Sequence, residues 1–168
     1  PFQFTNQSES CRLHYTTKTP KPSLQSQHDS DIPVFLTNAF KKGNELQDIL
    51  TNNFKHKLSG NDILINSLNE AKDIGLRPSI YTHPLGSYGH SSGPTIGMWD
   101  SQEGVKGAGD YNLNYNTVYA IELNITTFIS EWNRDIKIML EEAGFFGTKG
   151  FTYINNRQTK IIEIPFIK

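Results

Sequence analysis

The chain changes from helical to strand periodicity near residue 79, and this change constrains its fold more than any other feature. Before it, apolar residues recur at helical spacing over residues 33–55 and again over residues 61–74. After it, short β-rich runs alternate with Gly-rich and Pro-rich stretches. Helices followed by strands predict an α+β domain, with two helices packed on a curved, mainly antiparallel sheet.

The ends of the second predicted helix are marked by residues with special backbone preferences. Ser59 or Asn61 can cap its start, because either side-chain oxygen can accept a hydrogen bond from a free backbone N–H. Gly75 and Pro78 mark its end. Within the first helix, Gly43 predicts a weak point, because glycine is a poor helix former.

The second half of the chain predicts a set of strands. They are expected over residues 79–83, 115–129 and 136–146. Two further runs, 151–154 and 159–164, flank Asn155-Asn156-Arg157-Gln158, whose turn-forming residues predict a β-hairpin. Residues 1–32 are polar and irregular, apart from a short strand expected near residues 12–17, and they precede the domain at 33–168.

Charge and cysteine content narrow the class of protein. The chain has 168 residues with 16 basic and 17 acidic side chains, so no charge bias indicates nucleic-acid binding or a membrane surface. No run approaches the roughly 18 apolar residues that a membrane helix needs. Cys11 is the single cysteine and excludes an intrachain disulfide framework. We expect a soluble protein whose compartment stays open, with the cytoplasm slightly favoured.

Two histidines, His83 and His90, lie seven positions apart in a Gly-rich and Pro-rich stretch, residues 82–94. Glycine lets the backbone approach a site closely, and a loop can aim both imidazoles into one cavity. Neutral imidazole ligates transition metals and exchanges protons near neutral pH. Spacing alone favours the alternative, in which both histidines are surface residues of a polar loop.

Three glutamates interrupt apolar strands. If Ile121 and Leu123 face one side of their strand, Glu122 faces the other, and a carboxylate there needs water, a cation or a hydrogen-bond donor. Alternation also puts Glu141 and Glu142 on opposite faces, one toward a site and the other toward solvent. Taken singly, each glutamate is more simply a solvated strand residue. Together with the histidines they form a mixed imidazole and carboxylate set, which suits Zn, Mn, Fe or Co.

This ordered set resembles the pita-bread metallopeptidase family, which includes methionine aminopeptidase and Xaa-Pro aminopeptidase. Residues 83–90 are similar to its His-x-x-Gly-x-x-x-His element, residues 119–122 to the strand that brings the next glutamate ligand, and residues 138–142 to the closing strand with the last glutamate. Residues 81–86 and 93–100 are similar to the Xaa-Pro aminopeptidase branch.

The resemblance covers about residues 33–168 and implies the C-terminal part of a pita-bread domain. The implied function is a metal-dependent, Xaa-Pro-type aminopeptidase that hydrolyses an N-terminal peptide bond of a peptide substrate through a metal-activated water. The resemblance implies one or two divalent ions (Mn, Co, Zn or Fe) and is compatible with a homo-oligomer. From the charge balance, no nucleic-acid or membrane partner is expected.

The resemblance also implies a role for each site residue. His83 and Glu122 would ligate one ion, and Glu141 would be both a metal ligand and a catalytic bridge between two ions. His90 would be catalytic without ligating, through a hydrogen bond to the substrate or to the tetrahedral intermediate.

One element of the family is missing from the sequence. Related domains bring two aspartate ligands from a hairpin ahead of the first helix, whereas the nearest match here is Thr17-Lys18-Thr19. Lysine cannot ligate in the same way, so a one-ion site and little turnover are expected. Residues 1–32 are then a candidate remnant of the metal-binding hairpin. The alternative function is a catalytically inactive or truncated pita-bread module that binds peptide or a partner protein.

Overall fold

The computed structural model describes residues 14–16 and 32–164. Two helices, α1 (Val34–Asn52) and α2 (Gly60–Asp73), lie close to the predicted ranges. The strands are β1 (His14–Thr16), β2 (Pro78–Ile80), β3 (His83–Pro84), β4 (Thr117–Ile129), β5 (Arg134–Gly147), β6 (Gly150–Tyr153) and β7 (Ile162–Ile164). The predicted α+β class is confirmed.

A five-stranded antiparallel sheet carries the domain. Its order is β2-β4-β5-β6, and β3 also pairs with β4. The longest pairing joins β4 to β5, from Thr117 opposite Phe146 to Ile129 opposite Arg134. The short β1 and β7 form a separate parallel pair.

Both helices lie on one face of this sheet. α1 packs on β4 and β5, and α2 packs against α1 and β2. The core between them includes Phe40, Leu46 and Leu50 of α1, Ile63 and Leu68 of α2, and Tyr119, Ile121, Leu123, Ile138 and Leu140 of the sheet. Alternation along each strand therefore leaves the intervening side chains of β4 and β5 on the opposite face, which we call the open face.

The helix α1 continues through Gly43 without a break. A Cβ atom at this position would lie 2.9 Å from Leu140 Cδ1 and 3.2 Å from Ile138 Cγ2. The missing side chain thus lets α1 approach β5 closely, and this packing compensates for the low helix propensity of glycine.

The predicted hairpin at residues 151–164 is wrong. β6 pairs with β5, across a turn at residues 148–149, and β7 pairs with β1. The segment between β6 and β7 is instead held by side chains: the Gln158 N–H donates to Glu142, and the Asn44 amide donates to the Gln158 carbonyl. Arg157 forms an ion pair with Asp48. These contacts replace the strand pairing that the turn residues suggested.

The expected strand near residues 12–17 is present as β1, His14–Thr16. The predictions for Cys11, for Thr17-Lys18-Thr19 and for the rest of the N-terminal segment lie outside the described residues. Within residues 14–16 and 32–164, neither helix is long and apolar enough to cross a bilayer.

Ser59, rather than Asn61, caps α2. Its side chain accepts from the Asp62 N–H at 3.1 Å, and the Asp62 carboxylate accepts from the Ser59 N–H at 2.9 Å and from its hydroxyl at 2.7 Å. These hydrogen bonds, the side-chain one first, lower the pKa of Asp62. Asn61 instead contacts the loop at Val105 and Asp110.

We expect Ser59→Ala to lower the free energy of unfolding by about 1 kcal/mol at neutral pH, because the cap is lost. A carboxylate with a lowered folded-state pKa contributes stability above its ordinary pKa of 3.8 and loses it as the pH falls. The gap between Ser59→Ala and the parent should therefore narrow below that pH. Urea unfolding at several pH values measures this, with the exposed Ser92→Ala as a matched control; a gap that widens in acid would contradict the prediction.

Candidate functional site

The register of the sheet places Glu122 and Glu141 side by side on the open face. Ile121 and Leu123 are buried toward the helices, so Glu122 between them faces the other way. Glu122 lies directly opposite Glu141 across β4 and β5. Side chains at such positions have Cβ atoms about 4.5–5.5 Å apart.

The sequence predicts that one of Glu141 and Glu142 faces a site and the other faces solvent. In the structure, Glu142 does not face solvent. Its side chain is only 4% exposed, on the helix side of the sheet, and it accepts a hydrogen bond from the Gln158 N–H at 2.7 Å. This carboxylate is therefore structural, and Glu141 is the one that faces the candidate site.

The segment between β2 and β3 places a third side chain beside Glu122 and Glu141. Ile80 pairs with Leu123 and His83 pairs with Ala120, so the intervening Tyr81 lies opposite Glu122. The Tyr81 N–H donates to the Glu122 carbonyl at 2.9 Å. Tyr81, Glu122 and Glu141 thus lie side by side across β4, β5 and the segment between β2 and β3, and His83 lies in the next row.

Thr82 holds the backbone of Glu122 through its side chain. The backbone of Thr82 pairs with Ile96 of the following loop, with N···O distances of 3.0 and 2.7 Å. The fully buried Thr82 hydroxyl then donates to the Glu122 carbonyl and accepts from the Glu122 N–H, each at 3.2 Å. The Thr82 side chain therefore takes the place of a backbone hydrogen bond of the sheet at Glu122, which the sequence predicts to be a metal ligand.

His83 is oriented by its neighbour in the chain. Its Nδ1 lies 3.1 Å from the Pro84 carbonyl, and because a carbonyl can only accept, Nδ1 carries the hydrogen. Nε2 is then directed at Glu122 Oε2, 3.7 Å away. The same arrangement, a ring nitrogen held by a carbonyl, orients histidine ligands in metal sites.

The pKa of His83 reports its charged surroundings. Burial acts to lower this pKa, but Glu122, the Pro84 carbonyl and Glu141 together outweigh burial and raise it above the ordinary value. Both carboxylates therefore act on the same imidazole. A proton on Nε2 or a cation beside it would relieve the repulsion between two like charges placed directly opposite each other.

His90 lies against His83. The two imidazole rings stack with centroids 4.1 Å apart and planes 9° apart. The Tyr81 hydroxyl lies 3.1 Å from His90 Nε2. The structure thus brings His83 and Glu122 together, places Glu141 on the same face, and adds His90 through ring stacking.

The described residues contain no group of three or more His, Cys, Asp or Glu side chains arranged to hold a metal ion. His83 and Glu122 converge, but Glu141 contributes through its position in the register rather than through a short contact. The assignment of His83, Glu122 and Glu141 as ligands, and of His90 and Glu141 as catalytic residues, therefore stays a prediction.

A separate cavity of about 570 Å³ lies further along β4, lined by Lys42, Arg77, Thr126, Phe128 and Asp135 among others. Arg77 donates to both carboxylate oxygens of Asp135 and to the Thr126 carbonyl. The guanidinium of Arg77 is therefore engaged in an ion pair within this cavity.

Solved structures share this fold. X-Pro aminopeptidase from Thermotoga maritima MSB8 matches with a TM-score of 0.59 and 16% identity, over 92% of this chain and 37% of that chain. Methionine aminopeptidase from Rickettsia prowazekii matches with a TM-score of 0.56 and 13% identity, over 86% and 56%. The N-terminal domain of the FACT complex subunit SPT16 from Eremothecium gossypii matches with a TM-score of 0.63 and 12% identity, over 94% and 33%.

These likenesses establish the fold. The chain has the α+β architecture of pita-bread proteins and spans part of it, about 37% of the length of the aminopeptidase. No protein-family model matches the sequence, and no curated protein matches it either.

Tyr81 and Thr82 have no predicted role in the site, although both lie within the motif at residues 81–86. Strand alternation could have placed Tyr81 on the face of His83, two positions further on. Nothing in the sequence indicates that the Thr82 side chain would take a backbone role, because that depends on the loop at Ile96.

We expect Thr82→Val to lower the free energy of unfolding by about 1–3 kcal/mol, because the Glu122 N–H loses its acceptor. Thr126→Val is the matched control, on the same strand as Glu122 and with no side-chain hydrogen bond to the described residues. Chemical denaturation measures both variants, and equal stabilities would show that the Thr82 hydroxyl does not hold Glu122.

Proposed function

We propose that the open face around His83, Glu122 and Glu141 is the site of a metal-dependent, Xaa-Pro-type aminopeptidase activity. The observation that carries this proposal is the approach of His83 Nε2 to Glu122 Oε2 at 3.7 Å, with Glu141 opposite Glu122 in the register. The fold shared with X-Pro aminopeptidase and methionine aminopeptidase structures supports it.

The donor set fits a divalent transition ion by its chemistry. One imidazole with Nδ1 held by a carbonyl and two carboxylates suit Mn, Co, Zn or Fe. Three protein ligands are enough for a catalytic site, so His83, Glu122 and Glu141 would hold one ion. When bound, the ion would polarise the scissile carbonyl and lower the pKa of a water molecule.

The residues of the chain supply the remaining steps. The negative charge of Glu122 and Glu141 attracts the cationic amino terminus of a peptide. A carboxylate oxygen of Glu141 accepts a proton from the attacking water as its oxygen bonds to the carbonyl carbon. The same proton passes to the leaving nitrogen when the carbon–nitrogen bond breaks, which releases the first residue. His90 donates a hydrogen bond to the substrate.

A second function, peptide or partner binding without turnover, is favoured by one observation. The described residues lack a cluster of three metal-binding side chains, and a sparse ligand set weakens both metal binding and hydroxide formation. The matching domain of SPT16 belongs to a subunit of the FACT complex. In this case the carboxylate pair would receive the amino terminus of a peptide directly.

Titration of metal-free protein with Mn²⁺, combined with cleavage of an Xaa-Pro peptide, tests the proposal. We expect one ion per chain, with turnover that depends on it. Peptide binding without metal binding or cleavage would replace the enzyme with the binding module. Two tightly bound ions with fast turnover would show that residues outside the described part complete the site.

We expect Glu122→Gln to have opposite effects on stability and on metal affinity. In alkaline buffer, where His83 is neutral and its attraction to Glu122 is absent, removing one of two facing charges should raise the free energy of unfolding of metal-free protein by about 0.2–1 kcal/mol. Mn²⁺ affinity should fall by more than roughly 10-fold, because a ligand is lost. Calorimetry and urea unfolding measure the two quantities, with the exposed helix residue Glu45→Gln as control. A loss of stability in metal-free Glu122→Gln would refute the electrostatic account.

A further inference from the structure

Three aromatic rings, Tyr81, His83 and His90, form a compact cluster beside the carboxylates. His90 stacks on His83 at 4.1 Å, and the Tyr81 ring centroid is 5.1 Å from that of His83. The Tyr81 hydroxyl is 3.1 Å from His90 Nε2. Stacking fixes the plane of the His90 ring but not which of the two orientations related by a flip about the Cβ–Cγ bond it takes. The contact of the Tyr81 hydroxyl with Nε2 selects one of them.

Tyr81 is the fixed partner in this contact. Its N–H is bonded to the Glu122 carbonyl at 2.9 Å, so its backbone belongs to the sheet. His90 lies in a loop whose tight turn places Gly89 at a φ of +87°. The sheet residue therefore imposes an orientation on the loop residue.

Because Nε2 of His90 contacts the Tyr81 hydroxyl, Nδ1 is the ring nitrogen that remains for a ligand. Within the described residues, no hydrogen-bond partner approaches His90 Nδ1. When the Tyr81 hydroxyl donates to Nε2, the neutral ring carries its hydrogen on Nδ1. Nδ1–H is a donor, and the matching group on a peptide is a backbone carbonyl oxygen.

We propose that Tyr81 is a positioning residue: its hydroxyl donates to His90 Nε2, so that His90 meets a bound peptide through Nδ1–H, which donates to a peptide carbonyl. This assignment rests on the proposed function, because it supposes that a peptide occupies the open face. It adds the atom through which His90 acts and the residue that selects this atom.

The first test reads the His90 ring in metal-free protein, without peptide. Long-range ¹H–¹⁵N spectra of histidine-labelled protein should show Nδ1 protonated and Nε2 as an acceptor. Tyr81→Phe removes only the hydroxyl and should give a mixture of both tautomers, with an unchanged thermal midpoint. Tyr88→Phe is the control, since Tyr88 is 98% exposed. A proton on Nε2 in the parent, or no change in Tyr81→Phe, would overturn the assignment.

The second test adds Ala-Pro-Ala amide to the same metal-free samples. We expect the peptide to shift the His90 Nδ1 resonance in the parent and in Tyr88→Phe. With Mn²⁺ present, Tyr81→Phe should lower kcat about 10-fold with little change in KM, because a misplaced donor costs rate rather than peptide affinity.

The two proposals fail in different ways. Peptide binding that shifts Nε2 instead of Nδ1 overturns the role of Tyr81 and leaves the proposed function standing. A parent chain that neither binds nor cleaves the peptide overturns the proposed function, and the role of Tyr81 with it.

Discussion

The long antiparallel pairing of β4 with β5 is the constraint on which the candidate site depends. Because the side chains alternate along both strands, one register decides which residues form the core and which line the open face. The register that buries Ile121 and Leu140 also sets Glu122 opposite Glu141. A slip by one residue would expose the core and bury both carboxylates, so packing against the helices fixes the geometry of the site.

Glu122 and Glu141 repel each other on the open face, and the rest of the domain must offset this repulsion. Two like charges directly opposite each other destabilise a sheet, and the raised pKa of His83 is one local response to them. The hydroxyl of Thr82 and the N–H of Tyr81 hold the Glu122 backbone in place despite this repulsion. Functional sites commonly lower the stability of a protein in this way, and favourable packing of the core offsets the loss.

Features set by local pattern were predictable from the sequence, and features set by distant contacts were not. The helix ranges and the orientation of Glu122 follow from periodicity. The hairpin predicted at residues 151–164 failed because Glu142 and Asn44 bind the Gln158 backbone from distant elements. Glu142 itself was expected at the surface, since its burial depends on a partner that lies 16 residues further along the chain.

Both proposed functions, the aminopeptidase and the binding module, require a positively charged group beside Glu122 and Glu141 on the open face. A divalent ion satisfies it, and so does the amino terminus of a peptide. Charge therefore does not separate the two functions. Catalysis also needs a donor held in place for the reacting peptide, since a preorganised donor is effective only where the developing charge will be. The cluster of Tyr81 and His90 supplies that orientation, and simple recognition of an amino terminus would not require it. The carboxylate pair is thus common to both proposed functions, and the contact between Tyr81 and His90 is the feature that distinguishes them.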